Sequence, residues 1–351
     1  MNQFMHLAAV LASNSGWHVA KMGDIELAIR GSVVRKTPPI SAFIPMAVLI
    51  ASRLNRDLHI EGAISSTLLA KLSCELSPFV ERYFGGHRVA ITADKISSEI
   101  DVRPGKSALM FSAGIDSFYS LHLLRSIGIT PDAFLNVHAG AHDDNLETWN
   151  VRLNNVNAVA TALGIPLLTI ETNFHRAYKE AHVRCHTFRN ISAAIAASEV
   201  STIYYSAAHE VTDLSFDAAK RYGLDFIDPA IIRSFLPTGL ETIYLGWDAN
   251  RIKRTAEVSK MPLAFEHLDV CTNQKYQANR GPCDPINCGK CTKCIRTLIA
   301  LELSGGLDNF GKAFDIVWWH KSKLEAAERL SASPHPIDIN AVEVAKSAKI
   351  F

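Results

Sequence analysis

Between residues 107 and 206, short apolar runs alternate with longer stretches of helical periodicity, and this alternation constrains the fold more tightly than any other feature of the chain. Residues 108–111, 133–137, 167–170 and 202–206 read as strands, and 116–127, 146–163 and 191–199 as helices. Strands joined through helices of that length pair in parallel by right-handed crossovers. The expected class is therefore α/β: a doubly wound parallel sheet whose ligands sit at the carboxyl ends of the strands.

The flanking segments are less regular. Residues 1–103 read as a smaller N-terminal α/β domain, with strand alternation over 17–29, a buried helix over 42–54, a strand at 58–60, a helical pattern over 65–83 and a strand at 88–92. The first 18 residues have an apolar run with no basic residue before it, which suits an amphipathic helix better than a secretory leader. Arg103-Pro104-Gly105-Lys106 reads as the connection to a unit spanning 107–303. Beyond it, 304–351 reads as a C-terminal helical tail with a helix over 313–330 and a proline loop at 334–336.

Composition excludes several classes. With 351 residues and 48% hydrophobic side chains the chain can bury one large core or two linked ones. Lys and Arg total 36 against 35 acidic residues, so no global positive field is available for a phosphate backbone, and a nucleic-acid partner is disfavoured. The longest apolar stretch, 40–54, is broken by Ser41, Pro45, Ser52 and Arg53 and is too short to cross a membrane. A cytoplasmic protein is expected, with small molecules as partners and a homodimer as the assembly.

In Ser112-Ala113-Gly114-Ile115-Asp116-Ser117 a buried strand runs into a small-residue turn and then a helix. Small residues let the backbone approach an oxygen anion, and the free N–H groups and dipole of the helix start favour phosphate there. Ser112 and Ser117 add hydroxyl donors, and Asp116 can hold a magnesium ion. The plainer alternative is a turn serine followed by a capping aspartate. The string is neither Gly-x-x-x-x-Gly-Lys-Ser nor Gly-x-Gly-x-x-Gly.

Seven cysteines lie at 74, 185, 271, 283, 288, 291 and 294. Cys288, Cys291 and Cys294 are spaced to wrap a tight turn around one ion, and tetrahedral zinc wants a fourth thiolate, for which Cys271 and Cys283 are the candidates. An iron–sulfur cluster would use the same ligands, but the segment lacks the trailing Cys-Pro of ferredoxins, so zinc is expected.

With both motifs in view, the chain resembles the PP-loop ATP pyrophosphatases, whose Ser-Gly-Gly-x-Asp-Ser loop it matches with Ala113 in place of the second glycine. The following Cys…Cys-Gly-x-Cys-x-x-Cys, together with Phe188-Arg189-Asn190 and Arg251-Ile252-Lys253-Arg254, resembles the zinc-bearing 7-cyano-7-deazaguanine synthase branch over about residues 107–303. The resemblance implies a HUP-like nucleotide-binding domain and a loop, residues 112–117 including Gly114 and Ile115, that cradles the β,γ-phosphates of ATP. It also implies that Arg189 and Asn190 lie beside the nucleotide. The departures are a 16-residue gap between Cys271 and Cys288, and His209-Glu210-Val211-Thr212-Asp213 near the place of the family's substrate segment.

The function so implied is an ATP-dependent synthase or ligase. It adenylates a carboxylate or amide oxygen with release of pyrophosphate, for attack by ammonia or an amine, with a carboxylate that can be a deazapurine as substrate and ATP, Mg2+ and Zn2+ as cofactors. Sulfur transfer to tRNA and non-catalytic nucleotide sensing are the alternatives. His138, with His142, Asp143 and Asp144 after it, follows the second strand of the unit, where the sheet edge should meet a ligand. His175, His182 and His186 read as surface or packing residues, and Trp318-Trp319 as a packing patch.

Overall fold

The computed structural model describes residues 4–8, 11–12, 15–31, 34, 38–98, 103, 105–138, 146–197 and 199–350. Eleven strands form one sheet: β1 (Met5–Leu7), β2 (Leu11–Ala12), β3 (His18–Met22), β4 (Ile25–Gly31), β5 (Leu58–Ser65), β6 (Ile91–Ser97), β7 (Lys106–Met110), β8 (Ala133–His138), β9 (Leu167–Thr172), β10 (Val200–Ser206) and β11 (Glu241–Leu245). Ten run in the order β11-β10-β7-β8-β9-β4-β3-β1-β5-β6, with β2 beside β3.

The segment β11-β10-β7-β8-β9 is wholly parallel. Its first strand in the chain, β7, lies between the second and the fourth, so the winding reverses direction at the β7/β10 boundary. That is the doubly wound order, and its crevice opens beyond the carboxyl ends of β7 and β10. The loop at Ser112 leaves β7 at that point.

Residue alternation along these strands feeds two cores. Ala108, Ala133, Leu135 and Ile203 point into one cluster, and Leu109, Phe134 and Tyr204 into the other. The first cluster also holds the helix Ile44–Arg53, buried along nine of its ten residues, and the helix His186–Ala196. The second holds the helices Ile115–Ser126 and Thr292–Leu303 and the C-terminal helices.

The N-terminal strands extend the same sheet. β4 pairs antiparallel with β9, Arg30 bonds Glu171 at 2.6 Å, and the Asn173 side chain accepts from Ala28 N at 2.7 Å. Within the first 18 residues, Met5–Leu7 and Leu11–Ala12 are strands, so the expected amphipathic helix is corrected. Pairing of β1 with β5, from Met5 opposite Leu58 to Leu7 opposite Ile60, outweighs local helix propensity.

The tail holds two helices, Ile316–Ser331 and Pro336–Ser347. The expected proline loop at 334–336 is present at 334–335 and ends one residue early: Pro336 occupies a first-turn position of the next helix, where its missing N–H costs nothing, and the His335 ring accepts from Ile337 N. Trp319 is buried with its indole N–H on Glu302 at 2.7 Å, as a packing residue. Among the described residues no helix is long and apolar enough to cross a membrane.

Candidate functional site

After β7, Phe111 stacks on Phe134 with ring centroids 4.3 Å apart, and the chain turns through Ser112, Ala113 and Gly114 into the helix Ile115–Ser126. Ala113 is fully buried with φ of +58°, a left-handed backbone that costs a non-glycine residue about 1–2 kcal/mol. Its carbonyl accepts from Asp269 N at 2.9 Å. Ser117 closes the turn, donating to Gly114 O at 3.0 Å and accepting from Ser112 N at 3.4 Å. Its hydroxyl is thus spent inside the loop, whereas Ser112 is exposed.

Replacing Ala113 by glycine tests this turn. Relief of the left-handed strain opposes loss of about 0.8 kcal/mol for one buried methyl and about 0.4–1 kcal/mol of unfolded-chain entropy. Urea denaturation of Ala113→Gly is expected to match the unaltered protein within about 1 kcal/mol. A loss above 2 kcal/mol, on the same order-of-magnitude scale, contradicts the strain assignment.

Asp116 sits in the first helical turn with both oxygens engaged: Oδ1 accepts from Arg254 at 2.9 Å, and Oδ2 lies 3.1 Å from Arg251 Nη2. Burial alone would raise its carboxyl, but the two guanidinium charges outweigh burial and hold it below the usual carboxylate range. Both arginines come from the helix Arg251–Val258, whose start is capped by the Asn250 side chain. Arg254 is fully buried and also donates to Gly246 O and Ala207 O. A magnesium ion at Asp116 therefore competes with two guanidinium groups, which supply the positive charge there.

The turn opens into a cavity of about 530 Å³ lined by Ser112, Gly114, Ile115, Asp116, Ser117, Asn190, Arg251, Lys293 and Arg296, with His182, His186, Tyr222, Asp225, Asp228 and His335 also on its wall. Of the expected ligand residues, Asn190 reaches the cavity and bonds the Tyr205 hydroxyl at 3.4 Å. Arg189 does not line it. Buried, it donates to Tyr178 O at 3.0 Å and secures the preceding loop. His138 lies under Trp149, ring centroids 5.0 Å apart, behind the wall rather than on it. His142, Asp143 and Asp144 fall outside the described residues.

His182 and His186, read from the sequence as surface or packing residues, stand on the wall because the helix His186–Ala196 begins at this edge of the sheet. Beside them, Asp228 is buried, with Oδ1 on the Thr187 hydroxyl and 3.9 Å from His186 Nε2. Burial pushes its carboxyl up to about 6 against the opposing pull of His186 and Thr187. Burial also acts upward on Asp225, but the hydrogen bond and charge of His209, 3.1 Å away, win and hold it well below its ordinary value. Cys185 is buried and its thiol is pushed up to about 11, which leaves it inert.

The Asp228 shift carries a stability consequence. A carboxyl that titrates near 6 when folded and near 4 when unfolded binds its proton more tightly in the folded state. Its contribution is therefore complete below about pH 4 and is lost as pH rises through 6. The full swing is on the order of 2–3 kcal/mol. Asp228→Asn keeps an acceptor for Thr187 and removes the titration. Its stability relative to the unaltered protein, from denaturant melts, is expected to climb between about pH 4 and 6.5 and then level off. A pH-independent difference contradicts the shift.

The second centre is the cysteine segment. The sulfurs of Cys271, Cys288, Cys291 and Cys294 all lie within 4.8 Å of one another, with Cys291 and Cys294 at 3.4 Å and Cys288 and Cys294 at 3.9 Å. A tetrahedron with metal–sulfur bonds of about 2.3 Å has edges of about 3.8 Å, so the four thiols can hold a metal ion. Cys283 is exposed and outside the group, leaving Cys271 as the fourth member. Backbone N–H groups of Lys290 and Cys291 point at Cys288 Sγ, each at 3.3 Å, and Asn273 N at Cys271 Sγ at 3.4 Å, which offsets thiolate charge. Gly289, at φ of +69°, turns the chain against Trp318, whose ring would lie 3.3 Å from any added Cβ.

The two centres are joined through residues that sequence reading missed. Arg152 grips the Asp269 carboxylate with two bonds of 2.8 Å and reaches Cys271 O at 3.2 Å, while Asp269 N holds the turn at Ala113. Buried Asn287 accepts from Val270 N and Cys271 N and donates to Leu268 O and Ala313 O. The tail adds His335 to the wall and sets Asp338 3.2 Å from Arg296 Nε. None of these residues belongs to a short motif; each is recruited by chain pairing across more than 15 positions. In comparisons with known proteins, the chain matches no family model, no curated protein and no solved structure.

Proposed function

We propose that the protein is an ATP-dependent synthase or ligase of the PP-loop type, related in chemistry to 7-cyano-7-deazaguanine synthase. One observation carries the reading: a small-residue turn leaving a central parallel strand at the switch point opens, with Asp116 and Arg251, into the same cavity as Asn190 and Lys293. N–H groups of a first helical turn have no intrahelical acceptor, so a bound phosphate satisfies them while Arg251 offsets its charge.

In the proposed reaction a carboxylate or amide oxygen of the substrate attacks the α-phosphorus of ATP, the bond to the bridging oxygen breaks, and pyrophosphate leaves with that electron pair. An amine or ammonia then attacks the acyl carbon and loses a proton, and AMP departs. The loop binds and orients the β,γ-phosphates, where donors aimed at developing charge lower the barrier most. His186 and Asp228, with a carboxyl near 6, are the wall groups suited to accept the proton. Zinc is the proposed metal of the cysteine centre, in a structural role, since four thiolates leave no open position.

Sulfur transfer is disfavoured because Cys271, a member of the metal group, is the one cysteine on the cavity wall among the described residues. The test uses purified, metal-loaded protein with ATP, magnesium and a panel of carboxylates that includes a carboxy-deazapurine, with ammonia and primary amines. Formation of AMP and pyrophosphate with one member of the panel supports the reading. ADP and phosphate as products, or ATP binding with no turnover across the panel, count against a ligase.

A further inference from the structure

Among the described residues the cavity wall carries four Lys and Arg side chains, and three have fixed carboxylate partners. Arg152 is held by Asp269, Arg251 by Asp116 and Arg296 by Asp338. Lys293 is the exception: among the described residues its ammonium makes no ion pair or hydrogen bond, and its exposed surface opens onto the cavity. The carboxylates of Asp116 and Asp225 act on it only through space and are already engaged by Arg251 and Arg254 and by His209, so its ammonium is left to bind an anionic ligand.

Its placement follows from the cysteine centre. Lys293 lies between Cys291 and Cys294 in the first turn of the helix Thr292–Leu303, so the ligand geometry that gathers those two sulfurs 3.4 Å apart also fixes the lysine's direction. Lys290, in the loop before this helix, leans the other way, with its ammonium 5.7 Å from the centre of the Trp318 ring and off the cavity wall.

We propose that Lys293 is a phosphate ligand of the bound nucleotide, presented by the four-cysteine turn, so that metal loading sets nucleotide affinity. This rests on the ATP reading above and adds to it the residue that completes the phosphate site and the reason a metal centre stands beside it. The proposal is specific to the phosphate end of the ligand; adenosine lacks the group that Lys293 would neutralise.

Calorimetric titration of metal-loaded protein with ATP, inorganic pyrophosphate and adenosine tests it on Lys293→Met, Lys293→Arg and Lys290→Met, each checked for metal content and melting temperature. Lys293→Met is expected to weaken ATP and pyrophosphate binding by about ten- to a hundredfold, the range for a lost bond to a charged group, and to leave adenosine unchanged. Lys293→Arg should recover much of the loss, and Lys290→Met should bind like the unaltered protein. ATP affinity within about twofold of the unaltered protein in Lys293→Met, or an equal loss in Lys290→Met, overturns the proposal while leaving the ATP reading intact. No binding of ATP or pyrophosphate by the unaltered protein overturns both.

Discussion

Cys294→Ser is expected to bring bound metal from one ion per chain to near zero and to disorder the segment around residues 268–294. Structural zinc contributes about 10–16 kcal/mol of apparent binding energy in small zinc-finger peptides, more than the whole stability of many domains. An ion held by the four sulfurs would tie Cys271 directly to the 288–294 turn, beyond the bonds that Asn287 and Arg152 make to Cys271, so its loss should loosen Asp269 at Ala113 and Lys293 on the cavity wall. Cys283→Ser, at an exposed thiol outside the group, is the matched control and should change neither metal content nor melting. Elemental analysis with thermal melts decides the matter. One tetrahedral zinc per chain fits the proposal, and stoichiometric iron contradicts it.

The second large effect lies at Asp116. Alanine there strips the counter-charge from Arg254, which is fully buried, and from Arg251, and an uncompensated buried charge costs about 3–5 kcal/mol. Asp116→Ala should therefore lose stability in urea melts as well as turnover. The double variant Asp116→Ala with Arg254→Met removes the stranded charge along with its partner. It should recover at least half of the lost stability and none of the lost activity. Full stability in the single variant would mean the ion pairs contribute little. Full turnover in either would remove Asp116 from the site.

Much of this architecture is legible in the chain because its signals are local. The period of apolar residues predicts a helix through the described residues Leu146–Leu163 with its end at Leu163, and places strands β7, β8, β9 and β10 within two positions at most of their ends. The turn at Ser112 and the cysteine spacing are equally local, since each is a short run whose residue types serve one geometry.

What escaped the sequence depends on distant partners. Met5–Leu7 becomes a strand because β5 is beside it, and Glu241–Leu245, weakly patterned and partly exposed, is a strand because β10 offers a parallel edge. Asp269, Arg152 and Asn287 are ordinary polar residues until folding brings them to one carbonyl and one backbone turn. Asp116 has the same lesson in electrostatic form. A carboxylate after a small-residue turn suggests a magnesium ligand, yet the two arginines that occupy it lie 135 and 138 positions further along the chain. Asn190 lines the cavity and Arg189 does not, because neighbours on a helix face in different directions.

The most direct test of the nucleotide-site claim is hydrogen–deuterium exchange of the metal-loaded protein with and without ATP and magnesium, read by mass spectrometry. Bound triphosphate should slow exchange of the amides at 112–117, with further protection in the peptides that carry Arg251 and Lys293. Unchanged exchange at 112–117 under saturating ATP, or protection confined to another part of the chain, would contradict the assignment.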